Sequence, residues 1–374
     1  FLREYITGAD GSLHSTGRML SHINPDGSEH MATWADVKAN ALKLGLLLTD
    51  KDVGNVPLLA TDAYGNVMLG AHGFAQVVVR TGNGADGIAG TNDDITILKE
   101  GNALGLDLHG AGLGGTMVGI GHAFINDTAH FAVPVFNSAG NLAPDADLMA
   151  GVAPEAGTYD NELLDAHYIA GDGRVNENIG LTAIHDIFHS EHNRLVEQTK
   201  DMVRAELANG DTSFALNWVL AGTNLADGIQ DSEWNGERLF QAAKFGTETQ
   251  YQHLVFEEFA RKISPTIHLF GNNDITLDPA IMSEFANVVY RFGHSMLDEN
   301  VNRYEIGPDG TPVLDAAGHP VLNEIGLIEA FTNPLAYLHQ GANAAGEIVL
   351  GTVNQIGNEI DEFVTGALRN NLLG

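Results

Sequence analysis

Three histidines at helical spacing could bind a metal. His185, His189 and His192 occupy positions i, i+4 and i+7 of a segment predicted to be helical from about residue 179 to 209. Imidazoles one turn apart can chelate zinc, but this spacing differs from the HExxH pattern that places a general base beside two ligands. The helix could instead support a site just before it, and the spacing leaves both interpretations open. A neighbouring apolar stripe is expected to face the core: Leu181, Ile184, Phe188 and Leu195.

A fourth histidine, His294, follows Arg291 and Gly293 in a segment predicted to be helical over residues 279–297. Arg291 and His294 lie one turn apart, on a different face from the apolar residues. Imidazole is a good iron ligand, glycine leaves room for a flat macrocycle, and arginine can pair with a carboxylate. The residues expected to point to the core are Phe285, Val288, Val289, Phe292 and Met296. An isolated histidine on a helix is more often a hydrogen-bonded core residue than a metal ligand. Motifs elsewhere in the sequence therefore determine how His294 is interpreted.

Several motifs in the sequence resemble those of the animal haem peroxidase (peroxidase-cyclooxygenase) family. The similarity covers about residues 160 to 304 and keeps the family's order, at 170–174 (AGDGR), 181–182 (LT), 191–195 (EHNRL), 234–244 (WNGERLFQAAK) and 290–295 (YRFGHS). It implies a mainly α fold, with a helical haem-peroxidase core and a loop-rich N-terminal lobe containing short β-hairpins. The lobe resembles large secreted bacterial members that carry Asp/Gly-rich segments.

The resemblance assigns roles to four residues. His294 matches the proximal iron ligand, and Arg291 would pair with a propionate of haem b. Arg174 matches the arginine that lines the distal side and helps to polarise bound peroxide. Glu177 matches a glutamate that can be ester-linked to the haem in mammalian members. Asn178 follows it, so a second link through methionine is not expected.

The family's distal histidine lies with a calcium loop well upstream of the first motif, and neither is found here. His122 and His130 are candidates by position only, because their flanking residues do not resemble the distal motif. The asparagine that hydrogen-bonds the proximal histidine would follow beyond Gly374. We therefore expect a fragment whose flanking segments complete the site, with little turnover on its own.

Residues 86–94 form an Asp/Gly-rich segment in which glycines separate oxygen-bearing side chains. Asp86, Asp93 and Asp94 could point at one calcium ion, although the loop lacks the twelfth-position glutamate of an EF-hand. A plain turn rich in Asx residues is the alternative, because such turns are common without metal.

Composition limits the partners. Lys and Arg total 18 against 49 Asp and Glu, so a net charge of −31 argues against nucleic acid and anionic membranes. There is no cysteine, and no apolar run approaches the ~20 residues that span a bilayer. The chain starts at Phe1 without a leader, which indicates a fragment or a processed piece; a secreted or extracellular location is expected.

The chain is expected to have a lobe at residues 1–155 and a core at 156–374 within one continuous structural unit. The lobe is predicted to contain a helix at 34–48 and strands at 76–79 and 95–98. Helices are predicted at about 161–169, 179–209, 213–222, 236–263, 279–297 and 323–372, with a turn at 307–312.

Three functions follow in order of preference. The first is a haem peroxidase that uses hydrogen peroxide to oxidise a small donor such as halide, phenol or manganese(II). The second is a non-catalytic secreted calcium-binding or adhesion module on a degenerate peroxidase fold. The third is a zinc hydrolase that uses His185 and His189.

Overall fold

The chain divides into two units. The computed structural model describes residues 1–8, 11–269, 276–338 and 343–371. One unit contains residues 1–177 and 185–244, and the other contains residues 178–184 and those from 245 onward. The boundary predicted near residue 155 lies inside the first unit, and it stays a prediction.

The lobe of the first unit is built mainly from short antiparallel hairpins, with one short parallel pair, Leu46–Leu47 with Leu106–Asp107. Its three-stranded sheet has β6 at the centre, where Val77 and Val79 are fully buried on one face because side chains alternate along a strand. The strands are β1 (Arg3–Thr7), β2 (Leu13–Met19), β3 (Ser21–Ile23), β4 (Glu29–Met31), β5 (Leu46–Leu47), β6 (Gln76–Gly82), β7 (Ile95–Glu100), β8 (Leu106–Asp107) and β9 (Thr116–Met117). β1 pairs with β2, β3 with β4, β5 with β8, and β6 with both β7 and β9. The strands predicted at 76–79 and 95–98 are confirmed.

The first helix, α1 (Trp34–Lys43), ends earlier than predicted. Thr33 and Asp36 form a reciprocal capping box at its start, and Trp34 and Val37 are fully buried. Gly45 then adopts a φ of +82°, a left-handed conformation that stops a helix. The predicted extension to residue 48 is wrong because residues 46–47 pair as β5 instead.

Four helices follow between residues 161 and 253, the second and fourth of which are long. They are α2 (Asn161–Asp165), α3 (Ile179–Ala208), α4 (Thr212–Ala215) and α5 (Gly236–His253). Val196 and Val203 of α3 pack with Leu239 and Ala243 of α5 and with Trp234. Short 3₁₀ turns occur at Asp50–Asp52, Ala111–Leu113, Leu225–Asp227 and Asp231–Glu233.

Helix α3 buries polar side chains as well as apolar ones. Ile184 is 44% exposed, whereas Asp186, His189 and Asn193 are buried. The expectation that Leu181, Ile184, Phe188 and Leu195 make the buried face is therefore wrong for Ile184, and the other three are only partly buried. The physical reason is that strand ends supply hydrogen-bond partners: the Asp186 carboxylate accepts from Met31 N at 2.8 Å and pairs with His30.

The second unit combines a hairpin with short helices. β10 (Asn300–Tyr304) pairs antiparallel with β11 (Leu322–Gly326), and the predicted turn at 307–312 lies between them. Helix α9 (Ala344–Val353) packs on β10 so closely that a Cβ on Gly351 would lie 2.0 Å from Asn302 O. The remaining elements are α6 (Arg261–Ile263), α7 (Ser283–Asn287), α8 (Pro334–Leu338), α10 (Gly366–Asn371), a π-helical stretch Leu254–Ala260 and a 3₁₀ helix Val289–Met296.

The predicted helix at 323–372 is wrong, since the segment starts in a strand and then contains separate short helices. Helices α5 and α6, joined by the π-helical stretch, occupy the segment predicted at 236–263. The expected architecture, a mainly helical core with a loop-rich lobe that contains short hairpins, is confirmed. None of the described helices combines the length and the apolar composition that a membrane-spanning segment requires.

Candidate active site

The loop that carries Arg174 is closed by a side chain. The amide of Asn176 accepts a hydrogen bond from Tyr168 N and donates one to Tyr168 O, both at 2.9 Å, and Asn176 is buried. Glu177 N donates to Arg174 O at 2.8 Å just before α3 begins. These bonds hold the backbone on both sides of Arg174.

A second support comes from the segment that contains Asn126. Asn126 N donates to Gly173 O at 2.8 Å. A Cβ on Gly173 would lie 2.9–3.0 Å from atoms of Asn126, so only glycine fits without displacement. The backbone before Arg174 is therefore in direct contact with this segment.

The Arg174 side chain is exposed and ion-paired. Its Nε donates to Asp172 Oδ1 at 3.0 Å and its Nη2 donates to Asp172 Oδ2 at 2.6 Å. Hydrogen bonds from Arg174 lower the pKa of Asp172 to about 2. Glu177, partly buried, adds a negative charge near the same guanidinium. Sequence reasoning identified Arg174 and Glu177 but missed Asp172 and Asn176, whose signal was their place inside the same motif.

The proximal candidates lie on the 3₁₀ helix Val289–Met296 of the second unit. Three residues make one turn of such a helix, so Arg291 and His294 lie on the same side. Both are exposed, and an added Cβ on Gly293 would meet no atom within 4 Å. In the part of the chain that the structure describes, no hydrogen bond or ion pair occupies the His294 imidazole. An accessible imidazole, an arginine on the same side and an open glycine fit a haem ligand set.

The apolar residues around His294 are not in a core. Phe285, Val288, Val289 and Phe292 are 38–70% exposed, so the expectation that they face the interior is wrong; Met296 is partly buried. The reason is local: α7 ends at Asn287, Val288 leaves the helical region at φ −126° and ψ −67°, and the tighter 3₁₀ turn changes which side chains share a face.

The four site residues belong to different units. Arg174 and Glu177 lie in the first unit, whereas Arg291 and His294 lie in the second. The prediction that Arg174 lies opposite His294 across a cofactor therefore stays a prediction.

The two candidate bases are exposed. His122 lines a cavity of about 340 Å³ in the first unit, together with Tyr5, Phe124, Gly171 and Phe240. His130 lies on the surface of the same unit. A proton-transfer role for either one stays a prediction.

The histidines of α3 are used in packing. His189 Nε2 lies 3.0 Å from Ser21 Oγ, and His192 Nε2 lies 3.2 Å from Phe240 O. His185 is partly buried, near Asp172 and Arg174. Among the described residues, no three His, Asp or Glu side chains come together as a metal site.

The loop between β6 and β7 uses its carboxylates for turns. Asp93 accepts hydrogen bonds from Ala85 N at 2.6 Å and Asp86 N at 3.1 Å, and Asp94 accepts one from Gly90 N at 2.8 Å. Asp86 accepts one from Ile88 N at 2.7 Å. Calcium binding by Asp86, Asp93 and Asp94 stays a prediction.

Comparison with known proteins gives the family. The family model described as animal haem peroxidase matches residues 138–374, more than half of the chain. Peroxidasin from Drosophila melanogaster is 27% identical over 166 residues, 42% of this chain and 9% of that protein. Thyroid peroxidase from Homo sapiens is 26% identical over 200 residues, 51% of this chain and 17% of that protein. The matched region is thus under a fifth of either relative.

A solved structure, peroxidase A from Dictyostelium discoideum, is also similar. It has a TM-score of 0.42 and 18% sequence identity, and the match covers 92% of this chain and 60% of that one. The length of the match to the family model is what decides membership. The chain belongs to the animal haem peroxidase family.

Proposed function

We propose that the protein is a haem peroxidase, or the central part of one, which reduces hydrogen peroxide and oxidises a small donor such as halide, phenol or manganese(II). The observation that carries the proposal is the exposed His294 imidazole with Arg291 on the same side of its helix, inside the region that matches the family. Haem b, when bound, supplies the redox chemistry.

The chain's own residues have distinct proposed roles. His294 would bind the iron, and Arg291 would pair with a propionate carboxylate. Arg174 would stabilise the negative charge that develops on a peroxide oxygen. Glu177 is the proposed point of an ester link.

Proton transfer between the two peroxide oxygens needs a base, which typically contributes ~10²–10⁴-fold in rate. We assign this base to another segment of the same polypeptide, as the resemblance implies. If residues 1–374 alone turn over fully, His122 and His130 become the first candidates for the base.

Calcium binding and secretion belong to the same proposal. The Asp/Gly-rich loop at 86–94 and the net charge of −31 support them. Calcium binding is tested by equilibrium dialysis that compares the wild type with an Asp93→Asn variant. Secretion is tested by fractionation of the full-length protein in its native host.

The test of the proposed function is haem binding. Titration of the purified chain with haem should give a Soret band that His294→Ala loses or shifts, because iron loses its nitrogen ligand. His319→Ala is the control, since His319 is an exposed histidine of the same unit. A Soret band unchanged in His294→Ala would contradict the assignment. A wild-type chain, extended by its flanking segments, that binds no haem would favour the non-catalytic module.

A further inference from the structure

The carboxylate of Asp172 contacts Arg174 at three atoms. Oδ1 accepts from Arg174 N and from Arg174 Nε, each at 3.0 Å, while Oδ2 accepts from Nη2 at 2.6 Å. The same side chain therefore binds both the backbone and the guanidinium of the residue two positions later. A rotation of the arginine breaks two bonds at once.

We propose that Asp172 is a positioning residue, which fixes the direction of the Arg174 guanidinium so that it meets peroxide in one orientation. The inference rests on the proposed function and deepens it. The side chains of Arg174 and Asp172 are 59% and 40% exposed, and an ion pair so exposed contributes little to folding stability. Its effect lies in orientation, because an arginine side chain otherwise samples many rotamers.

The geometry leaves one edge of the guanidinium for a ligand. Nε and Nη2 are directed at Asp172, and in the described ranges Nη1 has no hydrogen-bond partner. A bidentate carboxylate on one edge fixes the plane of the group and therefore the direction of the three remaining N–H donors, two on Nη1 and one on Nη2. A peroxide oxygen would be bound through that edge.

The surrounding loop holds the backbone that carries the Arg174 side chain. Asn176 and the Asn126–Gly173 contact hold the backbone, so the side-chain torsions of Arg174 are the remaining freedom. The charged and titratable groups near the pair are Asp127, Glu177 and His185. None of the described residues replaces Asp172 as a bidentate partner.

The experiment compares Asp172→Asn with Asp201→Asn. Asp201 forms an exposed ion pair with Arg204 at 3.2 Å in the same unit, so it controls for the loss of an Arg–Asp pair. In the haem-loaded, full-length protein, Asp172→Asn should slow the reaction with peroxide on the order of ten- to hundred-fold, and haem affinity should not change. Asp172→Glu should recover part of the rate.

A double-mutant cycle gives the decisive comparison. In an Arg174→Leu background, Asp172→Asn should cause no further loss, because the residue acts through the arginine. A readout without turnover is the NMR signal of Arg174 Nε–H, whose exchange with water should be faster in Asp172→Asn than in Asp201→Asn. The 3.0 Å bond to Oδ1 is its physical basis.

The outcomes separate the two proposals. If Arg174→Leu slows the reaction but Asp172→Asn does not, the positioning role is overturned and the peroxidase function stands. If the wild-type holoprotein does not react with peroxide, the proposed function is overturned, and the positioning role with it. Additive losses in the double mutant would also overturn it.

Discussion

Arg174 and His294 differ in how their surroundings hold them. Asp172 binds the guanidinium of Arg174, and hydrogen bonds to neighbouring residues hold its backbone. His294 is exposed on a short 3₁₀ helix. The residue types and spacings of both motifs could be found from sequence. The hydrogen bonds between Asn176 and Tyr168 could not be found from sequence, since the two residues meet only through the geometry of the loop.

Replacing Arg174 tests its electrostatic role. Arg174→Leu should slow the reaction of the haem-loaded, full-length protein with hydrogen peroxide by about 10²–10³-fold, the usual cost of losing one preorganised donor. The Soret band should be unchanged. Arg204→Leu, on the exposed side of α3, is the control, and stopped-flow absorbance is the measurement. Equal rates for the two variants would rule out the assigned role.

The buried His189 makes stability depend on pH. Burial lowers its pKa from 6.5 to about 4, so the folded state favours the neutral imidazole. Its contribution is fully present above about pH 6.5 and is lost as the pH falls toward about 4, because the unfolded chain binds the proton more tightly. At pH 5 this loss is about 2 kcal/mol relative to pH 8.

The measurement is urea unfolding at a series of pH values. His189→Gln should show a shallower decline in the free energy of unfolding between pH 6.5 and pH 5 than the wild type, whatever its absolute stability. His319→Gln, at an exposed position, should follow the wild type. Parallel curves for all three proteins would show that His189 does not titrate as described.

At the scale of elements, the sequence predicted helices whose formation depends on nearby residues. The helical spacing that begins at Trp34 and the long periodic pattern of α3 predicted helices that the structure contains. The failure at 323–372 has a non-local cause: residues 322–326 pair with residues 300–304, a contact that periodicity cannot reveal. The buried polar side chains of α3 were missed for the same reason, since their partners lie about 160 residues earlier.

One contact between elements is close enough to test by a single methyl group. Gly17 of β2 has a φ of +84°, and a Cβ there would lie 2.6 Å from Leu239 Cβ of α5. Gly17→Ala should therefore lower the free energy of unfolding by about 2 kcal/mol or more, combining backbone strain with a clash. Denaturant titration provides the measurement.

The matched control is Gly27→Ala. Gly27 has a similar φ of +87°, but an added Cβ meets nothing within 4 Å. Its cost should be limited to backbone strain of about 1 kcal/mol. If both variants lose the same stability, the close approach of β2 to α5 is not what requires glycine at position 17.

At the scale of the whole molecule, the family could be identified from the order of short motifs along the chain. The match to the family model begins at residue 138, ahead of the first of these motifs. The division into two units was not predicted, because α3 and α5 each contribute residues to both. The presence of a long helix can be predicted from periodicity, whereas the grouping of segments depends on contacts between distant residues.

The amide of Asn176 has a consequence for protein engineering. The amide bonds with both backbone polar groups of Tyr168. This pair of hydrogen bonds resembles the one that joins neighbouring strands of a sheet. Residues 168–176 thus form a nine-residue loop that one of its own side chains closes and that Asn126 supports from outside. Transplanted onto another scaffold between a strand and a helix start, the loop should retain its shape only if the contact from Asn126 N to Gly173 O is transplanted with it, and slow hydrogen exchange at Tyr168 N would show that it does.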